Sequence, residues 1–136
     1  MRFVARWLRA LSDARLERWF GRTALERALF RGLAHRFDPE AAGGFEGRIV
    51  YELERPATGG PTSHHTVTVS GHRATVREGA AGEAALRVRM PVADFLRIAV
   101  GAIEPAEPVL RSRAQVKGDL AVAARLPEMF RAPRPV

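Results

Sequence analysis

Three histidines, one serine and a pair of glutamates are the first residues of this 136-residue chain to consider for chemistry. His64, His65 and His72 fall where a hairpin would bring His64 or His65 close to His72. Neighbours along a strand point to opposite faces, so at most one of His64 and His65 shares a face with a partner. No carboxylate is spaced to complete the three or four ligands a metal site needs, and no metal is expected. Ser63 beside His64 or His65 lacks an acid to orient the imidazole and an oxyanion hole, so it forms no nucleophilic triad. Glu104 and Glu107 sit one helical turn apart, as an acid/base pair would, but Pro105 and Pro108 favour a solvated loop. The chain has no cysteine, which excludes disulfides, thiolate metal sites and cysteine nucleophiles.

The corner Gly118-Asp119 is the remaining candidate for a catalytic or phosphate-binding loop. A phosphate loop needs further glycines and a Lys or Ser/Thr inside the turn, and none follows. Gly118 permits a tight exit from a strand, and Asp119 is suited to cap the helix that starts at Leu120. The corner is read as architecture. No residue emerges as catalytic, no buried carboxylate or histidine is legible as an acid or base, and no cofactor is expected.

The elements that would position any site follow from periodicity. "FEGRIVYELE" alternates Phe45, Gly47, Ile49, Tyr51 and Leu53 with mostly charged residues, as a strand does when one face covers a core and the other meets water. "RPATGGPTS" is a loop by composition. "HHTVTVSGHRATVRE" reads as a hairpin turning near Ser70-Gly71, and "EAALRVRM" as a further half-buried strand. Pro91 opens a helix that Gly101 closes, and "AIEPAEPVL" is a short helix or turn. Arg113 to Lys117 makes a fifth strand before the final helix. Nearer the N-terminus, Thr23 and Glu26 form a capping box for a helix whose Leu25, Ala28, Leu29, Leu33 and Phe37 share one face. Asp38-Pro39 ends it. Short connections between neighbouring strands imply a mostly antiparallel five-stranded sheet with helices on its apolar face, an α+β fold.

Composition agrees with one soluble domain. The 46% hydrophobic and 27% charged content is ordinary for a globular protein, and no apolar run approaches the length of a membrane span. No signal-peptide h-region is present. Only Lys117 among 22 basic residues is lysine, a bias that suggests a GC-rich, bacterial genome. The net charge of +7 is unevenly placed: residues 1–36 hold nine Arg against three acids, while the remainder is nearly neutral. No basic face beyond that arm and no nucleic-acid-binding signature argue against a nucleic-acid partner.

In order and spacing, three segments resemble the SCP-2 sterol-carrier family over about residues 25 to 131. They are "FEGRIVYEL" as first strand, "DFLRIAVG" as the helix after the fourth strand, and "AQVKGDLAVAARLPEMF" as last strand, corner and final helix. The resemblance implies a five-stranded sheet with helices on one face and an apolar tunnel holding a sterol, fatty acyl or isoprenoid lipid, without catalysis. Residues 23–132 would then be the lipid-binding domain, residues 1–22 a basic amphipathic arm and residues 133–136 a tail. The implied cavity lining is Ile49, Tyr51, Val67, Val76, Leu86, Val88 and Met90 from strands, with Phe95, Leu96, Ala99, Leu126, Met129 and Phe130 from helices. The same apolar stripes would equally serve as plain core. Arg111-Ser112 stands where related sequences often have glycine, and the C-terminus "APRPV" is not a peroxisomal address.

The arm carries Arg2, Arg6, Trp7, Arg9, Trp19 and Phe20, a combination suited to an anionic membrane surface. Amphipathicity alone does not separate that from packing on the domain or on a partner helix. The expected role is a cytoplasmic lipid carrier, peripheral on the inner membrane surface. The alternative is an accessory protein that recruits a lipid-modifying enzyme through the arm.

Overall fold

The alternation around Ile49, Tyr51 and Leu53 makes the middle strand of the sheet. The computed structural model describes residues 11–20 and 23–131. In chain order the elements are α1 (Asp13–Phe20), α2 (Thr23–His35), α3 (Pro39–Ala42), β1 (Gly47–Arg55), β2 (Gly60–Ser70), β3 (Arg73–Glu78), β4 (Leu86–Pro91), α4 (Val92–Ala99), α5 (Glu107–Leu110), β5 (Gln115–Gly118) and α6 (Leu120–Met129). The five strands form one sheet in the order β3-β2-β1-β4-β5. All neighbours run antiparallel except β1 and β4, which are parallel. The sheet is thus mixed but mostly antiparallel. Arg55 to Ser63, read as loop, shortens to the turn 56–59, and β2 already starts at Gly60.

Ile49, Tyr51, Leu53, Val67, Val69, Leu86, Val88 and Met90 join one buried cluster with Phe30 and Leu33 of α2, Val92 and Phe95 of α4, and Val122 and Met129 of α6. Inward-facing residues of period two on the strands therefore meet helical stripes of period near 3.6. The opposite face is not wholly wet, as the alternation implied. Val50 is fully buried there, between Thr66 and Arg87 in the two neighbouring strands. Strand order is the cause, because the connection from β3 to β4 must pass β2 and β1. It does so as a strap, with Thr66 Oγ1 donating to Gly79 O at 2.7 Å and Arg87 Nη2 to Ala81 O at 2.9 Å.

The ends of elements follow capping rules. Asp119 accepts from the backbone N–H groups of Ala121 and Val122 at 2.9 and 3.3 Å, so the Gly118-Asp119 corner is a strand-to-helix junction. The helix expected to run through Phe37 to Asp38 ends earlier, at His35; Phe37 instead forms a β-bridge with Phe130, and Asp38 caps α3, accepting from Glu40 N at 3.0 Å. The helix Asp13–Phe20 starts after Ser12, whose Oγ accepts from Arg15 N at 3.3 Å.

Candidate functional site

The inner face of the sheet, roofed by helices, is where the apolar residues converge. Phe30 is the centre of that convergence. Its ring stacks on Phe95 and on His65, with centroids 4.6 and 4.3 Å away, and meets the Tyr51 ring edge-on at 5.3 Å. One residue of α2 thus touches β1, β2 and α4 at once. In this structure aromatic side chains fill the space between α2 and the sheet.

Most of the thirteen apolar residues expected at the lining lie together around this point. Ile49, Tyr51, Val67, Leu86, Val88, Met90, Phe95, Met129 and Phe130 are buried in one cluster, with Val76 and Leu126 packed against it. Leu96 belongs instead to a second cluster with Leu16 and Ala93, on the side of α4 that faces α1. Ala99, on the last turn of α4, is buried. Phe30, fully buried in the main cluster, was missed, and Leu53, read on the apolar face of the strand, is fully buried there too although it was not among the thirteen. The helical stripe of Leu25, Leu29 and Leu33 was the available signal for the face of α2, although Phe30 itself falls one position off it.

A polar group lies inside the same wall. Glu26 is fully buried one turn before Phe30, and its carboxylate accepts hydrogen bonds from Arg55 Nη2, Ser63 Oγ and His65, whose Nε2 is 3.2 Å from Oε1. Arg55 also donates from Nη1 to Pro61 O at 2.8 Å. This corrects two readings of the sequence. Glu26 does not close a capping box on Thr23, because both its oxygens are turned into the interior. A buried carboxylate and a buried histidine do exist, where none was legible. Burial opposes ionisation of Glu26, but the hydrogen bonds from His65 and Ser63 and the Arg55 charge outweigh it and hold the carboxyl below its usual range.

Ser63, His65 and Glu26 do not make a catalytic triad. Ser63 donates to the carboxylate and not to the imidazole, so no base activates its hydroxyl. His64 stands opposite Glu52 on the other face, and His72 lies in the turn after β2. Among the described residues no group of three or more His, Cys, Asp or Glu is arranged to hold a metal.

Two clefts open elsewhere on the described surface, and none of the thirteen residues lines either. The larger, about 740 Å³, runs between the strap and the outer face of the sheet beside Arg48, Thr68, Ser70 and Glu83. The smaller, about 290 Å³, is bounded by Asp13, Asp94, Arg97 and Arg113. Those four side chains form an ion-pair network in which Arg113 Nε meets Asp94 Oδ2 at 2.7 Å and Arg97 Nη1 meets Asp13 Oδ1 at 2.8 Å. Asp13 is thereby tied to α4 and to the segment before β5. On the next turn Glu17 accepts from Ala57 N, Thr58 N and Thr58 Oγ1 at 3.1, 3.0 and 2.8 Å. The second half of the arm is therefore docked on the domain. Trp19 and Phe20 occupy the last positions of α1. Arg2, Arg6, Trp7 and Arg9 lie outside the described residues, and no described helix is long and apolar enough to cross a membrane.

Comparison with known proteins agrees with this architecture. A structure of palmitated SCP2L2 from Aedes aegypti matches with a TM-score of 0.64 at 17% identity, over 81% of this chain and 97% of that one. Sterol carrier protein 2 from Yarrowia lipolytica, in its apo form, matches with a TM-score of 0.59 at 17% identity, over 82% of this chain and 94% of that one. The sec-alkylsulfatase Pisa1 from Pseudomonas sp. matches with a TM-score of 0.59 at 17% identity, over 76% of this chain. This chain spans only 16% of that enzyme's length. At such identities the likeness establishes the fold alone. No curated protein matches the sequence significantly. The sequence profile of the SCP-2 sterol transfer family, however, matches residues 26–131, nearly the whole of the sheet and its helices. On that match, the chain belongs to the SCP-2 sterol transfer family.

Proposed function

We propose that this protein binds a hydrophobic lipid between the inner face of the sheet and the helices above it, and carries or presents that lipid without transforming it. One observation carries the reading: most of the inner face of a family-matched sheet is apolar and is covered by separate helices, not by a second sheet. A lipid enters as α2 lifts and Phe30 leaves the space between Tyr51, His65 and Phe95. Burial of an acyl or isoprenoid chain drives the exchange at about 25 cal/mol per Å² of apolar surface, so few polar contacts are needed. The palmitated Aedes aegypti relative, of the same fold, supports an acyl-type occupant. The lining is Ile49, Tyr51, Val67, Val76, Leu86, Val88, Met90, Phe95, Leu96, Ala99, Leu126, Met129 and Phe130. The arm residues Arg2, Arg6, Trp7 and Arg9 bring the loaded domain to an anionic membrane surface.

Native mass spectrometry of protein purified without detergent tests this, followed by lipid extraction. A stoichiometric adduct of lipid mass is the expected result. A bare polypeptide mass that also fails to take up added Nile red would overturn the reading.

A further inference from the structure

The strap from Gly79 to Ala85 leaves a cleft of about 740 Å³ on the outer face of the sheet, away from the apolar core. Alternation along the strands sets its floor. Thr66 Oγ1 bonds the strap, so Thr68 and Ser70, two and four residues on, share the outer face with it. Val50 is buried under the strap, and Arg48, two residues before it, stands directly opposite Thr68. Arg87 enters from β4, where its Nη2 donates to Ala81 O and Gly82 O at 2.9 and 3.1 Å. Gly82, Glu83, Ala84 and Ala85 of the strap close the other wall.

Most of the polar groups around this space are donors, and most are unused. Arg48 is exposed and has no ion pair or side-chain hydrogen bond among the described residues. The hydroxyls of Thr68 and Ser70 have no partner among them either. The backbone N–H groups of Gly82, Glu83 and Ala84 likewise find no acceptor among the described residues. Successive free N–H groups beside a guanidinium and hydroxyls are the components from which oxyanion sites are built.

The charges favour an anion with several oxygens. Arg48 and Arg87 line the cleft, and Arg73 stands opposite Ser70 at its edge on the same face. Lys117 lies opposite Arg87 on β5, which sets two like charges side by side. Two acids oppose them. Glu46 accepts from Gly71 N at 2.8 Å, and Glu83 lines the cleft without pairing with Arg48. A metal cation would meet one carboxylate among arginines, which is a poor set of ligands. A tetrahedral oxyanion instead offers several acceptors at once to donors arriving from β1, β2 and the strap.

We propose that this outer cleft binds a phosphate-type oxyanion, carried by a small solute or by a lipid headgroup, with Arg48 as its main cation. The site is separate from the inner face, so it does not depend on the lipid-binding reading above. The test uses the full chain at low ionic strength, where charge contacts are least screened. Inorganic phosphate, with a chloride salt as control, is titrated while the backbone amides are followed by nuclear magnetic resonance. Saturable shifts at Thr68, Ser70, Gly82, Glu83 and Ala84 with phosphate and not with chloride are expected. Arg48→Gln should weaken phosphate about ten-fold, the worth of one charge-assisted hydrogen bond. Glu83→Gln should tighten it about three-fold by removing a like charge. Nile red uptake should be unchanged in both variants. Co-sedimentation with vesicles of phosphatidylcholine and phosphatidylglycerol reads the other source. If a headgroup is the ligand, Arg48→Gln releases protein from these vesicles, while Arg31→Gln, which removes the same charge from the exposed surface of α2, does not. Either response, specific to Arg48, supports the site and names its source. Equal shifts with chloride, or an Arg48→Gln protein that matches the native one in both assays, would overturn it.

Discussion

Phe30 and His65 lie face to face, with ring centroids 4.3 Å apart and planes inclined by 22°. Glu26, four residues before Phe30 on the same face of α2, binds the edge of that same imidazole. One histidine of β2 thus holds α2 twice, by its ring face through stacking and by its ring edge through a carboxylate. In the proposed reading α2 is the helix that lifts to admit a lipid, and it is secured by the Phe30 stack and by the Glu26 cluster, two contacts that respond differently to mutation.

Removing the Phe30 ring should loosen the protein and favour binding. Phe30 is fully buried against three aromatic rings, so Phe30→Ala leaves a large void and should cost about 3 to 5 kcal/mol of stability. The void lies where the lipid is expected. Nile red should therefore bind Phe30→Ala more tightly than the native protein even as the urea midpoint falls. Weaker binding by a variant that remains folded would place the lipid elsewhere.

Removing the Glu26 charge should be costly and dependent on pH. Glu26→Gln keeps the shape of the side chain but removes the carboxylate charge that Arg55 and His65 contact inside the protein, at a cost of about 3 kcal/mol. The folded pKa of Glu26 is lowered, so its stabilising contribution is fully present above the unfolded value of about 4.3 and is lost as pH falls through the lower, folded value. Asp13 is shifted the same way, because Arg113 and Arg97 outweigh its burial. Urea unfolding between about pH 3 and pH 6 should show native stability falling toward acid. In Glu26→Gln that slope should shrink but not vanish, since Asp13 remains. An unchanged slope would show that Glu26 is not ionised in the folded protein.

Residues whose fate is decided by near neighbours were legible in the sequence. Asp119 caps α6 because the N–H groups it needs are two and three residues on, and the alternation about Ile49 names the buried face of β1. Thr23 and Glu26 show where local reasoning fails. The spacing fits a capping box, yet the partners Glu26 takes, Ser63 and His65, are 37 and 39 residues away and are reached only once β2 is in place. Val50 is a similar case, since its burial depends on a strap whose path follows from the parallel pairing of β1 with β4. Periodicity assigns faces within an element. It carries no information about which element arrives opposite, so the apolar inner face was legible and the buried cluster of Glu26, Arg55, Ser63 and His65 beside it was not.

The Gly118 junction should tolerate almost nothing larger. Its φ is +122°, and a Cβ added there would lie 2.3 Å from Ala85 O, in the backbone of the strap that leads into β4. Gly118→Ala should lower stability by about 2 kcal/mol or more, combining backbone strain with displacement of that carbonyl. Asp119→Ala, which loses only a helix cap, should cost about 1 kcal/mol. Thermal unfolding of the two variants should rank them in that order. The reverse ranking would mean that the corner is held by the cap and not by the close approach of the two chains.

The docking of α1 can be separated from the stability of the sheet. Glu17 supplies the acceptor for three donors in the β1–β2 turn, and Leu16 on the same helix is fully buried against Ala93 and Leu96. Glu17→Ala leaves two backbone N–H groups and a hydroxyl without that acceptor, and a loss of about 1 to 3 kcal/mol follows if unfolding is global. Local opening requires less, because among the described residues Leu16 of α1 packs in the smaller cluster with Ala93 and Leu96 and not in the one around Phe30. Hydrogen exchange should therefore show faster exchange at Ala57, Thr58 and the amides of α1 in Glu17→Ala, with β1 and β4 as protected as before. If the amides of α1 exchange equally fast in the native protein, the helix is not held to the domain, and residues 13–20 act together with residues 1–10 as a free amphipathic arm.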